Sequence, residues 1–352
     1  MNNKQTVAVA MSGGVDSSVA AKLLLDQGYN VLGLTLRLWG AKTDENNRSI
    51  AERDAAKVAA LLGIEHHVLD CTDYFKTNIV GNFIGEYQKA HTPNPCVLCN
   101  KLIKFGLLFD EAMKLQADFL ATGHYVQKYI APESGKHYLR KAADLSKDQT
   151  YVLYNIPHDK LQACLFPLGT YSKPQVRELA QSFALPVFDK ADSQEICFIP
   201  DDDYRGFLAA HSDIKPLAGN LVDPQGKVLG RHQGLINYTI GQRKGFNIGF
   251  GKKMYVIALD KTKNEVVIGD DSQVFQNSLE AQEVVFVDRR PADRTYPLQV
   301  KIRYNAKPAD AQVTVDGSSA KVVFATPQRA ITPGQSAVFY ENDILVGGGI
   351  IK

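Results

Sequence analysis

Nowhere does this chain of 352 residues hold an apolar run of the roughly 18 residues that a membrane helix needs. Its first residues, Met1-Asn2-Asn3-Lys4-Gln5, lead toward a strand without the apolar core of a signal peptide. A cytoplasmic protein with no membrane partner is expected. Cysteine is scarce: Cys71, Cys96, Cys99, Cys164 and Cys197 form an odd, widely spread set of five, which argues against a secreted disulfide framework and for reduced thiols. Net charge is only +2, so bulk basicity announces no nucleic acid. The charge is nonetheless uneven, with 22 basic against 24 acidic side chains in residues 1–205 and 18 against 14 in residues 206–352. Internal repeats and low-complexity tracts are also missing. The length suggests two or three domains.

What is there begins at Thr6. An apolar run, Val7 to Met11, reads as a buried parallel strand, breaks into Ser12-Gly13-Gly14, and gives way to a helix opened by Asp16-Ser17-Ser18. Two glycines let successive N–H groups bear on an anion at a helix N-terminus, so the loop suits a phosphate. It lacks the lysine of G-x-x-x-x-G-K-[ST] and is not G-x-G-x-x-G. It resembles instead the Ser-Gly-Gly-x-Asp-Ser loop of the ATP pyrophosphatases, which cleave ATP between its α and β phosphates.

Strands are expected at 30–37, 65–69 and 119–122 and helices at 49–62, 73–89 and 101–115. This alternation predicts a doubly wound α/β parallel sheet with nucleotide at the strands' carboxyl ends and Thr35 and Leu36 beside the adenosine. Ser172 caps a further helix, and another is expected near 203–210. Beyond this, turns at Asp223-Pro-Gln-Gly226, Asp260–Asn264, Asp316-Gly317 and Pro333-Gly334 come at hairpin spacing. The expected organisation is an ATP pyrophosphatase domain over 1–210, a small β-rich domain over 211–278 and a β-barrel over 279–352.

Cys96-Val-Leu-Cys99 follows Pro93-Asn-Pro95 at a helix start, where the dipole should lower a thiol's pKa. One C-x-x-C pair makes no zinc site. Cys197 is expected in an extended apolar segment, and Cys71 and Cys164 as structural. Gly123, at a strand end, should permit close backbone approach to a ligand. Gly241-Gln-Arg-Lys-Gly245 offers what a phosphate-contacting loop offers, and Arg303-Tyr304, on an expected barrel strand, pairs a cation with a stacking ring for RNA.

Together, Ser12–Ser17, Pro93–Asn100, Ala121–Tyr125, Lys147–Gln149, Ser193–Phe198 and Gly241–Gly245 come in an order and spacing that resembles the bacterial tRNA-specific 2-thiouridylases over essentially the whole chain. That resemblance implies ATP-dependent sulfur transfer, with magnesium, to C2 of the wobble uridine in tRNAs for Lys, Glu and Gln. It also implies a cysteine desulfurase or sulfur-relay protein as donor. Ala10, Met11, Ser12, Gly13, Gly14, Val15, Asp16, Ser17, Leu36 and Gly123 would contact ATP. Asn94, Pro95 and Cys96 would meet the target base, and His124, Lys147, Asp148, Gln149, Arg303, Tyr304 and Gln335 would contact tRNA. Cys99 and Cys197 match the two catalytic thiols, linked in a transient disulfide during the reaction.

The best-known members carry Asp where this chain has Cys96, which leaves two routes open. In one, a persulfide on Cys197 is the nucleophile and Cys96 substitutes for the aspartate. In the other, Cys96, Cys99 and Cys197 hold a four-iron, four-sulfur cluster whose open iron carries hydrosulfide. Two rival readings are weighed against both: an amide-forming synthetase would have no use for paired thiols beside its ATP, and a tRNA-binding protein that merely holds ATP would make no AMP.

Overall fold

The structure, a computed structural model, describes residues 4–352 except 42, 47, 192–195, 200, 201, 247–250 and 292. Strand β1 (Thr6–Ala10) runs parallel to β2 (Asn30–Arg37), and β2 to β3 (Glu65–Asp70). On its other side β1 pairs in parallel with β4 (Phe119–Ala121). A hairpin, β5 (Gln127–Ile130) and β6 (His137–Arg140), leaves this sheet before β7 (Cys164–Leu165) rejoins it beside β4. The order β3-β2-β1-β4-β7 reverses direction between β1 and β4, which is where an open α/β sheet forms its ligand crevice.

Alternate residues of the strands face opposite layers. Val7, Val9, Met11 and Val31 pack with helices α1 (Val15–Asp26) and α2 (Ile50–Leu62), while Ala8, Leu32 and Leu34 pack with Phe105 and Leu108. Ser49 caps α2 by accepting from the Glu52 N–H, and Gly63, at φ 66°, ends it in the left-handed conformation that glycine tolerates. Next comes a continuous helix over 72–88, made of α3 (Thr72–Phe75), a π segment (Lys76–Val80) and α4 (Gly81–Gln88). A second, over 95–114, joins α5 (Pro95–Cys99), a π segment (Asn100–Leu108) and α6 (Phe109–Lys114). Both begin close to the sheet's carboxyl edge. Three more helices follow: α7 (His158–Gln162), α8 (Lys173–Ser182) and α9 (Tyr204–His211). No described helix is long and apolar enough to cross a membrane.

Strands β8 (Gly219–Val222), β9 (Val228–His232), β10 (Tyr255–Asp260) and β11 (Glu265–Gly269) form a second sheet in the order β10-β11-β8-β9 around Leu221, Val256, Val266 and Ile268. The last six are β12 (Phe275–Phe286), β13 (Thr295–Lys301), β14 (Ala309–Asp316), β15 (Ser319–Arg329), β16 (Ser336–Glu341) and β17 (Ile344–Ile351). They close into a barrel because β12 pairs with both β15 and β17. The turns at Asp223–Gly226, Asp260–Asn264 and Asp316-Gly317 join paired strands as expected, whereas Pro333-Gly334 joins β15 to β16, which do not pair with each other.

One pairing adds to the expectations and two expectations change. The hairpin β5–β6 joins the barrel, with Ile344 opposite Arg140 and Leu345 opposite Leu139, and Val338, Tyr340 and Leu345 share one apolar core with Tyr151 and Tyr154. Arg303-Tyr304 sits in a turn, because β13 ends at Lys301. Cys197 also lies in a turn, with Phe198 and Ile199 buried after it. Ser193, Gln194 and Glu195 of that motif lie outside the described residues.

Candidate active site

The loop between β1 and α1 is shaped by its glycines and hydroxyls. Gly13 has φ 66°, and a Cβ there would sit 2.5 Å from the Ala51 carbonyl oxygen, so this position needs glycine twice over. Gly14 has ordinary extended backbone, and a Cβ would only touch Ser12 Oγ at 3.4 Å. Gly14 caps α1 without a side-chain bond, Ser17 Oγ accepts from the Ser12 N–H at 3.2 Å, and Ser18 Oγ donates to the Gly14 carbonyl at 2.8 Å. A helix start left uncapped by its own side chains, at the sheet's reversal point, fits a phosphate. Ala10 and Leu36 stay partly accessible at the strand ends, whereas Met11 and Val15 are buried.

Two neighbours depart from expectation. Thr35 is fully buried and its hydroxyl donates to the Met11 carbonyl at 2.8 Å, so it braces β1 and does not line a pocket. Gly123 is required, but for a protein contact: a Cβ there would lie 2.9 Å from Ser17 N, so β4 abuts the first turn of α1.

Three groups absent from the sequence expectations surround the loop. Lys173 Nζ lies 2.7 and 2.9 Å from the two Asp16 carboxylate oxygens. Tyr125 donates its hydroxyl to Asp16 at 2.8 Å. Lys190 donates to the Gly13 carbonyl at 2.9 Å and to Asp54 at 2.8 Å. The lysines arrive 157 and 177 residues after their partners, a spacing that no local pattern reveals.

The thiols gather on the helix over 95–114. Asn94 caps it, its side-chain oxygen accepting from the Cys96 N–H at 3.1 Å, with Pro95 in the first turn. The same aromatic cluster that buries Cys99 anchors the residue after Cys197: Phe198 packs edge-on to Phe75 and Phe83, with centroids 5.7 and 5.5 Å apart. Cys96 and Cys197 remain solvent-exposed. All five cysteines are free thiols.

Their acidity overturns the expectation from the helix start. Burial pushes the Cys99 thiol up to about 12 and the Cys197 thiol up to about 11, and it raises Cys96 as well. The Lys104 ammonium opposes this for all three, which marks it as the cation they share. Lys104 Nζ is also 3.4 Å from His124 Nε2. Burial and that same charge hold the His124 imidazole well below its usual pKa, so the ring is neutral. Its Nε2 therefore accepts from Lys104 and its Nδ1–H donates to Thr122 Oγ1 at 2.8 Å.

The remaining expected contacts divide by availability. Asp148 is buried, accepting from Ala142 N at 3.1 Å and Thr150 Oγ1 at 2.6 Å. Gln149 accepts from Tyr125 N at 2.8 Å, and Gln335 donates to the Thr92 carbonyl at 2.7 Å. Arg303 donates to the Arg329 carbonyl. Lys147 is partly exposed. Tyr304 is exposed, edge-on to Tyr151 at 6.1 Å, with Lys301 Nζ 5.5 Å from its ring centre, and it lies within electrostatic range of the Cys96 sulfur. Among the described residues no three His, Cys, Asp or Glu side chains are arranged to hold a metal ion. As they stand, Cys96, Cys99 and Cys197 do not form a ligand set.

A parallel sheet with a Ser-Gly-Gly-x-Asp-Ser loop at its reversal point, thiols beside it and two β domains behind defines a nucleotide-binding enzyme of the ATP pyrophosphatase class. Residues 5–201 match the tRNA methyl transferase HUP domain, 205–270 the tRNA methyl transferase PRC-barrel domain, and 276–351 the aminomethyltransferase beta-barrel domain. The tRNA-specific 2-thiouridylase MnmA of Clostridium acetobutylicum is 49% identical over 362 residues, covering 100% of both chains. MnmA 2 of Clostridium botulinum is 47% identical over 351 residues and 99% of each. The chain belongs to the tRNA-specific 2-thiouridylase family. A solved U34-tRNA thiolase, NcsA of Methanococcus maripaludis with its 4Fe-4S cluster, aligns over 61% of this chain and 66% of its own at 23% identity and a TM-score of 0.37.

Proposed function

We propose that this chain is an ATP-dependent tRNA 2-thiouridine synthase acting on the wobble uridine of tRNAs for Lys, Glu and Gln. One observation carries the reading: a single segment, Thr122–Tyr125, touches both halves of the chemistry. Gly123 abuts the first turn of α1, Tyr125 bonds Asp16, and His124 between them bonds Lys104 on the thiol-bearing helix. The phosphate loop and the helix that carries Cys96 and Cys99 are thus tied to one strand end.

C2=O of uridine has no leaving group, so its oxygen first attacks the α-phosphorus of ATP and pyrophosphate departs. The loop amides and the α1 N-terminus stabilise the charge that develops on the phosphates. A sulfur-relay protein or cysteine desulfurase supplies sulfur as a persulfide on Cys197. The terminal sulfur attacks C2 and AMP leaves. Cys99 then attacks the Cys197 sulfur, which releases C2=S and leaves a Cys99–Cys197 disulfide for an external thiol to reduce. Tyr304, exposed and near Cys96, offers the stacking face for the extruded base. Reduced thiols of this kind persist in the cytoplasm.

The test incubates the enzyme with ATP, a persulfide donor and unmodified tRNA, measures pyrophosphate, and analyses the tRNA for thionucleosides. The expected result is tRNA-dependent pyrophosphate release matched by 2-thiouridine, both lost in Asp16→Ala, with 2-thiouridine alone lost in Cys197→Ser. Pyrophosphate without thionucleoside in the wild type would reject the reading.

A further inference from the structure

Turning a base out of an RNA loop swings the two phosphodiesters that flank it, and their charge calls for a cation near the face on which the base comes to rest. Four described cations gather where β13 ends, and three of them are already engaged. Arg303 donates to the Arg329 carbonyl, Arg329 to Asp271 at 3.2 Å, and Lys141 to the Asn342 carbonyl at 3.0 Å with Asp343 beside it at 3.4 Å. Lys301 is different: no described residue accepts a hydrogen bond from its ammonium or forms an ion pair with it.

Its place is fixed nonetheless. Lys301 closes β13 opposite Val338 of β16, and its Nζ sits 5.7 Å from the Tyr151 ring centre and 5.5 Å from that of Tyr304. Tyr151 cannot move aside, because it is fully buried and its hydroxyl donates to the Ser336 carbonyl at 2.9 Å and accepts from the Ser336 N–H at 3.1 Å. The two rings attract the charge through their quadrupoles but leave the three N–H donors of the ammonium without an acceptor. Burial lowers the pKa of Lys301, as it does for any ammonium stripped of part of its water. Asp148 acts on it only through space, since that carboxylate accepts from Ala142 N and Thr150 Oγ1. A half-buried donor set without acceptors is costly until a ligand supplies them.

Resting on the proposed function, with Tyr304 as the stacking face, we infer that Lys301 binds a phosphodiester flanking the target uridine and so helps to hold the base extruded. A base lying on Tyr304 brings its own phosphates within a nucleotide's length of the ammonium, and a compact charge with rotatable donors suits a phosphate oxygen. The rival role is internal: Lys301 balances the buried Asp148 charge and never meets RNA.

Neutralised phosphates separate the two. Unmodified tRNA is assembled by ligation around a synthetic anticodon loop that carries a methylphosphonate on one side or the other of the target uridine. Affinity is measured by fluorescence anisotropy for full-length wild type, Lys301→Met and Lys301→Arg. Loss of one charge-assisted hydrogen bond should weaken binding of all-phosphate tRNA to Lys301→Met by about tenfold. Wild type should lose a similar factor when one of the two flanking phosphates is neutral, whereas Lys301→Met should lose nothing more at that position. Lys301→Arg should recover most of the affinity for all-phosphate tRNA. ATP affinity by calorimetry should be equal in the three proteins, which reports an intact fold. The inference is overturned if wild type binds all three RNAs equally, a result that needs no variant, or if Lys301→Met is as sensitive as wild type to each neutral phosphate. Because binding is read apart from thiolation, a wild type that binds this tRNA but makes no 2-thiouridine rejects the proposed function and not this contact.

Discussion

His124 illustrates how one residue can carry a sequence motif and yet do something the motif does not say. Its place after a strand-end glycine suits an interior histidine, while the family resemblance implies a tRNA contact. The structure buries it as a neutral ring between Thr122 and Lys104. A base whose folded pKa is depressed costs stability only when acid protonates the unfolded chain first, so its contribution is intact above about 6.5 and is lost as pH falls below that value. The check is a histidine proton NMR titration from pH 7.5 to 5.5, compared with His124→Asn to assign the signal. The His124 resonance should hold still over that range, and a His124 midpoint near 6.5 would contradict the buried ring. The glycines make a parallel case at the loop. Gly14→Ala should be tolerated, because its backbone is ordinary and a Cβ meets only Ser12 Oγ. Gly13→Ala should cost at least about 1 kcal/mol from the left-handed backbone alone, before its collision with Ala51, and should abolish tRNA-dependent pyrophosphate release. Equal activity in the two variants would reject this division. The loop itself is legible in the sequence because its chemistry is contiguous. Lys173, Lys190 and Lys104 are not, since each acquires its role only where distant segments meet.

At the scale of elements, the sheet and its helices follow from local signals: period, caps and glycine stops. Ser49, Ser172 and Asp203 each cap the helix expected after them. The π segment over Asn100–Leu108 has no such signal, because i+5 bonding is set by what the helix packs against. The pairing of β6 with β17 is equally hidden, since strands some 200 residues apart in sequence leave no mark on one another. That pairing has a companion contact at the thiol loop. Thr92 N donates to the Pro333 carbonyl at 2.9 Å and Gln335 to the Thr92 carbonyl, so the β15–β16 turn grips the residues just before Asn94. Gly334 makes this possible: it has φ 88°, and a Cβ would lie 3.0 Å from His91 Cβ and 3.1 Å from the Thr92 backbone. Gln335, expected to touch tRNA, is here a tie between barrel and catalytic loop. Gly334→Val should therefore loosen the grip and lower tRNA-dependent thiolation while ATP affinity measured by calorimetry stays unchanged. Loss of ATP binding would show instead that the turn supports the whole catalytic domain.

For the molecule as a whole, the excess of basic residues beyond residue 205 gains meaning only once the three domains stand together. The Gly241–Gly245 loop is built against the barrel: a Cβ on Gly241, at φ 86°, would press into Ala330 at 2.7 Å, and Gln242 holds the loop by accepting from Thr239 N at 3.0 Å and donating to the Lys244 carbonyl at 2.8 Å. This leaves Arg243 and Lys244 exposed. Each contact that solvent-facing cations make with phosphate displaces condensed counterions from the tRNA. The expected consequence is measurable in salt. Log affinity for tRNA should fall linearly with log salt concentration, and Arg243→Ser/Lys244→Ser should flatten that slope by about one to two units. ATP affinity, which depends on the distant loop at Ser12–Ser17, should not change in the same protein. A slope and affinity identical to wild type would mean that tRNA approaches by another face, and the basic turn would then be only a solvated corner of the small β domain.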